Sequence, residues 1–186
     1  MLHIQRDITS NAFDDAGVVS ALYVVYFDGL CEPCNPGGIV AYGYVIYQDQ
    51  DALRVKITSD AQIVGEGEEM TNNVAEYSGL LGAACWLNEH VVKIKTAHNR
   101  VKITIRGDSQ IVINQMGGIW EVKSRTSQHF VPLIRKLLDG YDVTFEWVPR
   151  EENQEADMLC SMAYKQYCSK QGRDAVFMKR RRKDGA

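Results

Sequence analysis

A change in the hydrophobic period near residue 71 restricts the folds open to this chain. Before that point, β-branched and aromatic residues fill three segments, at 22–27, 39–47 and 53–65, with turn-forming or charged residues between them. Three such segments with short connections predict an antiparallel meander. After that point, apolar positions at helical spacing alternate with strand-like segments.

The later segments predict a parallel arrangement. We expect helices at 71–88, 109–116, 127–138 and after residue 149, and strands at 101–106 and 143–148. Strands that alternate with helices are joined by crossover connections, which make neighbouring strands parallel. The predicted fold is therefore α/β, with a five-stranded mixed sheet of three antiparallel strands followed by two parallel ones. Helices are expected on both faces of that sheet.

Small residues predict close packing at two places in this fold. Gly43 lies inside the second strand, where it indicates a bulge or a close backbone approach. Gly79 and Ala83 lie four residues apart on the first helix and give it a stripe small enough to pack closely on the sheet.

The length of 186 residues fits one domain with tails. We predict a polar leader at 1–20, the domain at 21–170 and a basic tail at 171–186, whose five basic residues at 179–183 could attract phosphates. No apolar run approaches the roughly 20 residues of a membrane span, and the leader lacks the apolar stretch of a secretion signal. We expect a soluble, cytoplasmic protein without membrane association.

The five cysteines are an odd number and come without a secretion signal, which predicts free thiols. Cys31 and Cys34 have the spacing of a metal-binding pair. A structural zinc site needs four ligands, however, and the sequence holds no second pair of this kind. For these two cysteines we favour a disulfide or a packed thiol pair over zinc.

Four acidic residues lie at the predicted ends of elements. Asp28 and Asp108 each follow an apolar strand, and both strands end at the same sheet edge if they are parallel. Glu76 lies one turn inside the first long helix, and Asp157 lies at the start of the last one. Carboxylates that converge repel one another, and divalent cations relieve that repulsion. Because all the ligand atoms are oxygens, the pattern favours Mg²⁺ or Mn²⁺.

The charge balance is compatible with a nucleic-acid substrate. The chain has 21 Lys and Arg against 24 Asp and Glu, for a net charge of −3. Without the four acids above, 20 negative charges stand against 21 positive ones, so the rest of the protein is close to neutral.

Four segments in order resemble the motifs of the type 1 ribonucleases H. They are YFDG at 26–29 with NPGG at 35–38, TNNVAE at 71–76, GDSQ at 107–110, and WVPREEN at 147–153 continuing to Ala156 and Asp157. Each motif alone is weak, but four in the right order and spacing are specific. The resemblance covers about residues 22–168 and implies the five-stranded mixed sheet of that family.

The resemblance implies a Mg²⁺-dependent endonuclease that cuts the RNA strand of RNA–DNA hybrids. The four acids would hold two Mg²⁺ ions, with Mn²⁺ as a substitute, and would be the catalytic residues. The implied partner is the hybrid itself, with no obligate protein partner and a monomeric chain. The residues so assigned are Asp28, Glu76, Asp108 and Asp157.

The resemblance also implies contacts with the substrate. Asn72 and Gln110 would contact the RNA strand near its 2′-hydroxyls, the group that distinguishes RNA from DNA. Asn35, Thr71 and Asn72 would form a polar pocket for a phosphate of the DNA strand, and Gly29 would also lie at the substrate. Turn and helix-capping chemistry would account for Asn35, Thr71 and Asn72 as well.

The sequence departs from the family pattern in two places. Residues 149–154 contain no His, although many members have one before the last acid; the nearest ionisable residue is Arg150, which cannot act as a base. The four histidines of the chain are expected at the surface or in packing roles. The basic handle of some bacterial relatives is also missing, and residues 116–125, with Trp120, occupy its position. Both absences resemble the short, handle-less subgroup of archaea and some bacteria.

These departures leave some roles open. Trp120 is more often a core residue than a base-stacking platform, and the basic run at 179–183 could replace the handle. The same fold and metals could also serve a nuclease for double-stranded RNA or for ribonucleotides embedded in DNA. A third interpretation is a hybrid-binding module that has lost catalysis, which four mutually repelling acids disfavour.

Overall fold

The computed structural model describes residues 22–50, 53–91 and 101–178. The predicted leader and the basic run at 179–183 lie outside these residues. Within them, the elements follow the predicted order: β1 (Leu22–Glu32), β2 (Ile39–Gln50), β3 (Leu53–Glu66), α1 (Asn72–His90), β4 (Lys102–Gly107), α2 (Gln110–Met116), α3 (Arg125–Leu138), β5 (Asp142–Trp147) and α4 (Gln154–Lys170). A single 3₁₀ turn, Arg150–Glu152, joins β5 to α4.

The strands form one sheet in the order β3-β2-β1-β4-β5. β1 pairs antiparallel with β2, and β2 pairs antiparallel with β3. β4 lies parallel to both β1 and β5. The prediction of a five-stranded mixed sheet, with three antiparallel strands followed by two parallel ones, is confirmed.

β1 is longer than the sequence pattern predicted. The strand was expected to end at residue 27, before Asp28, but it continues to Glu32 because residues 28–32 pair with β2. β4 accompanies only the first half of β1, up to the pair of Tyr26 with Arg106. Asp28 therefore lies within a strand, two residues past the point where β1 loses its parallel partner.

Helices cover both faces of the sheet, as predicted. On one face α1, α2 and α3 enclose the main hydrophobic core, which contains Phe27, Leu80, Ile105 and Ile134. On the other face α4 packs on β1, β2 and β3 over a smaller core that includes Leu30, Ile39 and Tyr164. Asp28 of β1 lies in the sheet between these two layers.

Two glycines next to Asp28 let both layers approach the sheet closely. A Cβ on Gly29 would lie 2.3 Å from the backbone carbon of Ala75 in α1. Gly43, the partner of Asp28 in β2, lies against α4, where a Cβ would come within 2.7 Å of the Leu159 Cβ. The predicted close approach at Gly43 is confirmed, and the β2–β3 irregularities lie elsewhere, at residues 40–41 and 46–47.

Several side-chain expectations have outcomes in this structure. Cys31 and Cys34 are free thiols without a disulfide; the Cys31 thiol is buried and donates to the backbone oxygen of Cys34 at 3.1 Å. The core prediction for Trp120 is wrong, because the side chain is 44% exposed on the turn that follows α2. His90 stacks on Trp86 and His129 meets Phe130 edge-on, which are packing roles.

None of the helices among the described residues is both long enough and apolar enough to span a membrane. The packed body also extends past the predicted boundary at residue 170. Residues 173–178 run from the end of α4 back along the domain, and they contact it as far as Met178.

Candidate active site

Three of the four predicted acids meet at one point of the sheet edge. Asp28, Glu76 and Asp108 each offer a carboxylate oxygen, and these atoms lie within 4.8 Å of one another. Asp28 comes from β1 past the end of its pairing with β4, and Asp108 follows the last residue of β4 directly. The two side chains are neighbours because the strands that carry them are parallel and adjacent.

Glu76 reaches the same point from α1. The helix begins at Asn72, after Thr71 caps it by accepting the Val74 N–H at 3.2 Å. Glu76 is thus one turn inside the helix, and Gly29 allows that turn to lie directly on β1. The Asn72 side-chain amide donates to Glu76 Oε1 at 3.3 Å, which fixes one carboxylate oxygen toward the helix start.

Asn153 supports the site from the α4 side. Its buried side-chain amide donates to the backbone oxygen of Phe27 at 2.9 Å and to Asp108 Oδ1 at 3.2 Å. Asn153 therefore links β1, at the residue after its last pair with β4, to the acid that follows β4. From the same side, the Cys160 thiol donates to Asp28 Oδ2 at 3.6 Å.

Asp157 is not part of the three-acid cluster. It is half-buried in the first turn of α4 and pairs with Arg150, which lies on the 3₁₀ turn. Arg150 itself lines the cavity that contains the cluster, so one guanidinium both faces the three acids and pairs with the fourth.

Burial makes the charged forms of the cluster unfavourable. It raises the pKa of Asp28 to about 7, and the neighbouring Asp108 carboxylate adds to that rise. The pKa of Glu76 is raised well above its ordinary value, first by burial and then by Asp28 and Asp108. Arg150 opposes both shifts. The pKa of the Cys160 thiol is also raised, chiefly by burial and then by Asp28.

These residues suit a hard divalent cation. The cluster offers carboxylate oxygens, which are the ligands that Mg²⁺ and Mn²⁺ prefer. Glu76 Oε2 is buried without a hydrogen-bond partner, and an unpaired buried carboxylate oxygen is costly unless a cation faces it. The cavity at the cluster measures about 340 Å³, and Arg150 is the one cationic side chain among the described residues that line it.

The residues that were predicted to bind a DNA phosphate, Asn35, Thr71 and Asn72, lie together at the start of α1. The Asn72 backbone N–H donates to Asn35 Oδ1 at 3.0 Å, so the turn after β1 and the helix start are in contact. Thr71 lies beside them as the helix cap. Gly29 lies in β1 at the cavity, and its backbone N–H donates to the Asp28 carboxylate. Gln110 is exposed on the first turn of α2, next to Asp108 in sequence.

Sequence reasoning missed several residues of this site. Asn153 lies in a quoted motif, yet only the fold shows that its amide bridges Phe27 and Asp108. Cys160, one of the five cysteines predicted to be free thiols, also contacts Asp28. Glu32 and Met178 line the cavity without any signal in their local sequence.

A family model described as reverse transcriptase-like matches residues 41–163. This match reaches from β2 to α4 and includes the positions of Glu76, Asp108 and Asp157. The chain belongs to the reverse transcriptase-like family. Within that family, its relatives and structural neighbours identify it as a type 1 ribonuclease H in fold and sequence, as the motifs predicted.

Relatives of known sequence agree with this assignment. Ribonuclease HI of Halobacterium salinarum is 32% identical over 146 residues, which cover 74% of this chain and 62% of that protein. The bifunctional protein Rv2228c of Mycobacterium tuberculosis is 31% identical over 130 residues, 69% of this chain and 32% of that protein. This type 1 ribonuclease H chain thus spans less than two thirds of the length of these relatives.

Solved structures show the same fold. The N-terminal RNase H domain of the M. tuberculosis protein, solved as a fusion with maltose-binding protein, superimposes with a TM-score of 0.67 at 27% identity, covering 82% of this chain and 99% of that one. LC11-RNase H1, solved in complex with an RNA/DNA hybrid, has a TM-score of 0.66 at 26% identity, covering 78% and 98%.

Proposed function

We propose that this type 1 ribonuclease H hydrolyses the RNA strand of RNA–DNA hybrids as a metal-dependent endonuclease. The convergence of Asp28, Glu76 and Asp108 within 4.8 Å carries this proposal. Three buried carboxylates with too little positive charge around them lower the stability of the fold. A bound divalent cation would compensate that charge, and catalysis would explain why the cluster is kept. The complex of LC11-RNase H1 with an RNA/DNA hybrid supports the choice of substrate.

Two Mg²⁺ ions would activate a water and stabilise the leaving oxygen of an in-line phosphodiester displacement. Asp28, Glu76 and Asp108 would hold them, with Asp157 as the fourth ligand. Asp28 and Glu76 project from a strand and a helix that the core fixes, and Asp108 directly follows the end of β4, so the ligand geometry is preorganised. Asn153 and Asn72 orient Asp108 and Glu76 through their amide groups.

Arg150 is proposed to act as an electrostatic partner of the acids. In this structure the guanidinium pairs with Asp157 and also lowers the pKa of Asp28 and of Glu76. Arg150 therefore compensates part of the negative charge of the cluster, and Asp157 would hold a cation from the α4 side. Arg150 always stays protonated, so its role is electrostatic and no proton transfer is assigned to it.

The substrate would extend from the acids toward two polar groups. Asn35, Thr71 and Asn72 form the proposed pocket for a phosphate of the DNA strand, and Asn72 also lines the cavity of the acids. Asn72 and Gln110 would contact the RNA strand, and contact with the 2′-hydroxyl would distinguish RNA from DNA. Gly29 gives the backbone of β1 close access to the same cavity.

Cleavage of a labelled hybrid tests the proposal. The full chain is incubated with an RNA–DNA hybrid of one sequence, and in parallel with the matching DNA duplex, double-stranded RNA and a DNA duplex that holds one ribonucleotide, each with Mg²⁺, with Mn²⁺ and with EDTA. We expect metal-dependent cuts in the RNA strand of the hybrid. We expect Asp108→Asn to lower kcat by at least about 100-fold, because it removes one carboxylate ligand of the cations that would stabilise the transition state.

The control for that variant is Asp142→Asn, which removes an exposed acid at the opposite end of the strand pair. Preferred cutting of double-stranded RNA or of the embedded ribonucleotide would replace the substrate assignment. Binding of the hybrid without cleavage under any metal would instead indicate a binding module. Sedimentation of the same preparation checks the proposed monomer, and a cytoplasmic location stays a prediction.

A further inference from the structure

We infer that Trp147 is a positioning residue for Asp108. Its indole N–H holds the backbone oxygen of that acid and so keeps the carboxylate directed at the proposed cation site. Trp147 begins the segment WVPREEN, and neither the segment nor the family resemblance gave it a role. Its role as inferred here rests on the proposed nuclease function and adds a residue that touches neither substrate nor cation.

Asp108 is the acid of the three-acid cluster that lies outside the helices and strands. Asp28 lies in the ladder between β1 and β2, and Glu76 lies one turn inside α1. Asp108 instead follows the last residue of β4 and precedes α2, whose cap residue Ser109 makes no side-chain hydrogen bond to the helix. The direction of the Asp108 carboxylate therefore depends on contacts with other segments.

Two hydrogen bonds from the other side of the sheet edge supply such contacts. Trp147 Nε1–H donates to the backbone oxygen of Asp108 at 3.0 Å, and the Asn153 side-chain amide donates to Asp108 Oδ1 at 3.2 Å. One bond holds the main chain of the acid and the other holds its side chain. Together they restrict both the position and the rotation of the carboxylate.

The register of the sheet places Trp147 beside the acid. Trp147 is the last residue of β5 and pairs with Gly107, the last residue of β4. The Val148 N–H donates to the Gly107 oxygen at 3.1 Å, which is the last backbone bond between these two segments. The indole N–H then binds the next oxygen along the chain, that of Asp108. The side chain of Trp147 thus extends the hydrogen bonding one residue past the end of the strand pair.

The exposure of Trp147 indicates that the N–H is the important part of this side chain. The residue is 48% exposed, so its ring contributes less apolar burial to the core than an enclosed Trp would. The hydrogen bond also requires Trp, because Phe has no donor at all and Tyr has none at the position of the indole nitrogen.

Loss of this bond should disturb the catalytic geometry and leave substrate binding intact. A catalytic group that is misplaced by about 1 Å can slow a reaction about 100-fold. The bond from Asn153 remains in place, so the displacement of Asp108 should be smaller than that. Trp147 would act on the substrate only through Asp108 and the cation, so the effect should appear in kcat and not in KM.

The exchange Trp147→Phe tests the inference, with two measurements on the full chain. Calorimetric titration with Mg²⁺, without substrate, should show a Kd about 10-fold higher than in the parent. Cleavage of the hybrid should show a kcat about 5- to 30-fold lower, with KM within about twofold. A purely structural role would lower the thermal stability and leave the Mg²⁺ affinity of the folded protein unchanged.

The matched control is Trp86→Phe, which makes the same exchange on α1, where the Trp86 ring stacks on His90. Its Mg²⁺ affinity and its kcat should both stay within about twofold of the parent values, because no contact of this ring reaches the acids. Circular dichroism at the assay temperature checks that both variants are folded.

A second variant keeps the shape of the ring in case Trp147→Phe does not fold. Site-specific incorporation of 3-benzothienylalanine at position 147 replaces the indole N–H by a sulfur atom and leaves the two fused rings. It should lose Mg²⁺ affinity and kcat as Trp147→Phe does. Parent-like values in this variant would overturn the inference. A raised KM with an unchanged kcat would overturn it too, because that result would indicate that the ring itself binds the nucleic acid.

The outcome stays separate from that of the proposed function. If the parent cleaves hybrids and the Trp147 variants match it, the inference fails and the nuclease proposal stands. If the variants bind Mg²⁺ more weakly while the parent cuts no hybrid, the nuclease proposal fails and the positioning of Asp108 stands. A parent that neither binds Mg²⁺ nor cuts the hybrid would overturn both.

Discussion

Asp28 shows how one residue links the stability of this protein to its chemistry. The side chain lies in β1 and is 4% exposed, with Asp108 and Glu76 as neighbours. Its folded-state pKa of about 7 compares with an ordinary value of 3.8. Between these pH values the folded protein keeps a proton that the unfolded chain has lost. The free energy of unfolding of the metal-free protein therefore falls as pH rises from about 4 to about 7, and it levels off above that.

The first prediction at this scale concerns Asp28→Asn. The amide removes the buried charge, so the metal-free variant should be more stable than the parent at pH 8, by about 1–3 kcal/mol. At pH 5 the unfolded parent has still lost the proton that the folded parent keeps, so the difference should be smaller than at pH 8, and it should vanish only below about pH 4. Thermal unfolding in EDTA at both pH values measures this, with the exposed-site variant Asp142→Asn as control. A parent that is the more stable protein at pH 8 would contradict the prediction.

The acids come together because α1 and α4 approach the backbone of β1 and β2 closely. At the points of closest approach there is no space for a side chain. Gly29 lies on β1 with the Ala75 carbon and the Glu76 nitrogen of α1 within 2.4 Å of where its Cβ would be. Gly43 allows α4 to approach β2 in the same way. The site is thus a consequence of how α1 and α4 sit on the two faces of β1 and β2.

The prediction at the scale of elements is that Gly29→Ala separates α1 from β1. The clash is with backbone atoms, which a rotamer change cannot relieve, so we expect a loss of about 2–4 kcal/mol in the free energy of unfolding. A shift of Glu76 by about 1 Å should also lower kcat about 100-fold on the hybrid. Urea unfolding and single-turnover cleavage measure the two effects.

The matched control is Gly65→Ala, in β3. A Cβ there would meet only the flexible end of Met70, at 3.4 Å or more. The free energy of unfolding of this variant should stay close to that of the parent, and its cleavage rate should stay within a factor of about two. Only a mobile side chain must adjust to the added methyl group. Equal behaviour of the two alanine variants would contradict the packing argument.

At the scale of the whole molecule, the cavity joins parts of the chain that are far apart in sequence. The cavity is lined by residues from β1, α1, the end of β4 and the 3₁₀ turn, and by Met178. A cation that binds there only in the folded state stabilises the entire domain by linkage. Binding also requires deprotonated carboxylates, so it competes with protons at Asp28 and Glu76.

We therefore predict that Mg²⁺ stabilises the protein more at pH 8 than at pH 5.5. If the Kd is near one tenth of the added concentration, the gain is about 1.4 kcal/mol. For a domain of this size that corresponds to about 3–5 °C in Tm. Calorimetry in two buffers of different ionisation enthalpy measures the accompanying proton release. The double variant Asp28→Asn with Asp108→Asn should show no shift; a shift of equal size there would place the cation elsewhere.

The sequence by itself determined the order and type of the elements. The period of the apolar positions depends only on local geometry, so the strands, the long helices and the parallel placement of β4 and β5 could be read without coordinates. The four motifs likewise indicated the family and the acids. Boundaries were less accurate: β1 runs to Glu32 because β2 supplies partners that local pattern does not reveal.

Tertiary structure alone decided which groups surround the acids. The bridge from Asn153 to Asp108, the pairing of Arg150 with Asp157 and the thiol of Cys160 at Asp28 all join positions from separate elements. The exposure of Trp120 and the anchoring of Met178 beside the cavity are decided in the same way. Local propensity carries no information on such contacts, because they depend on how the layers pack and on which backbone segments can approach each other.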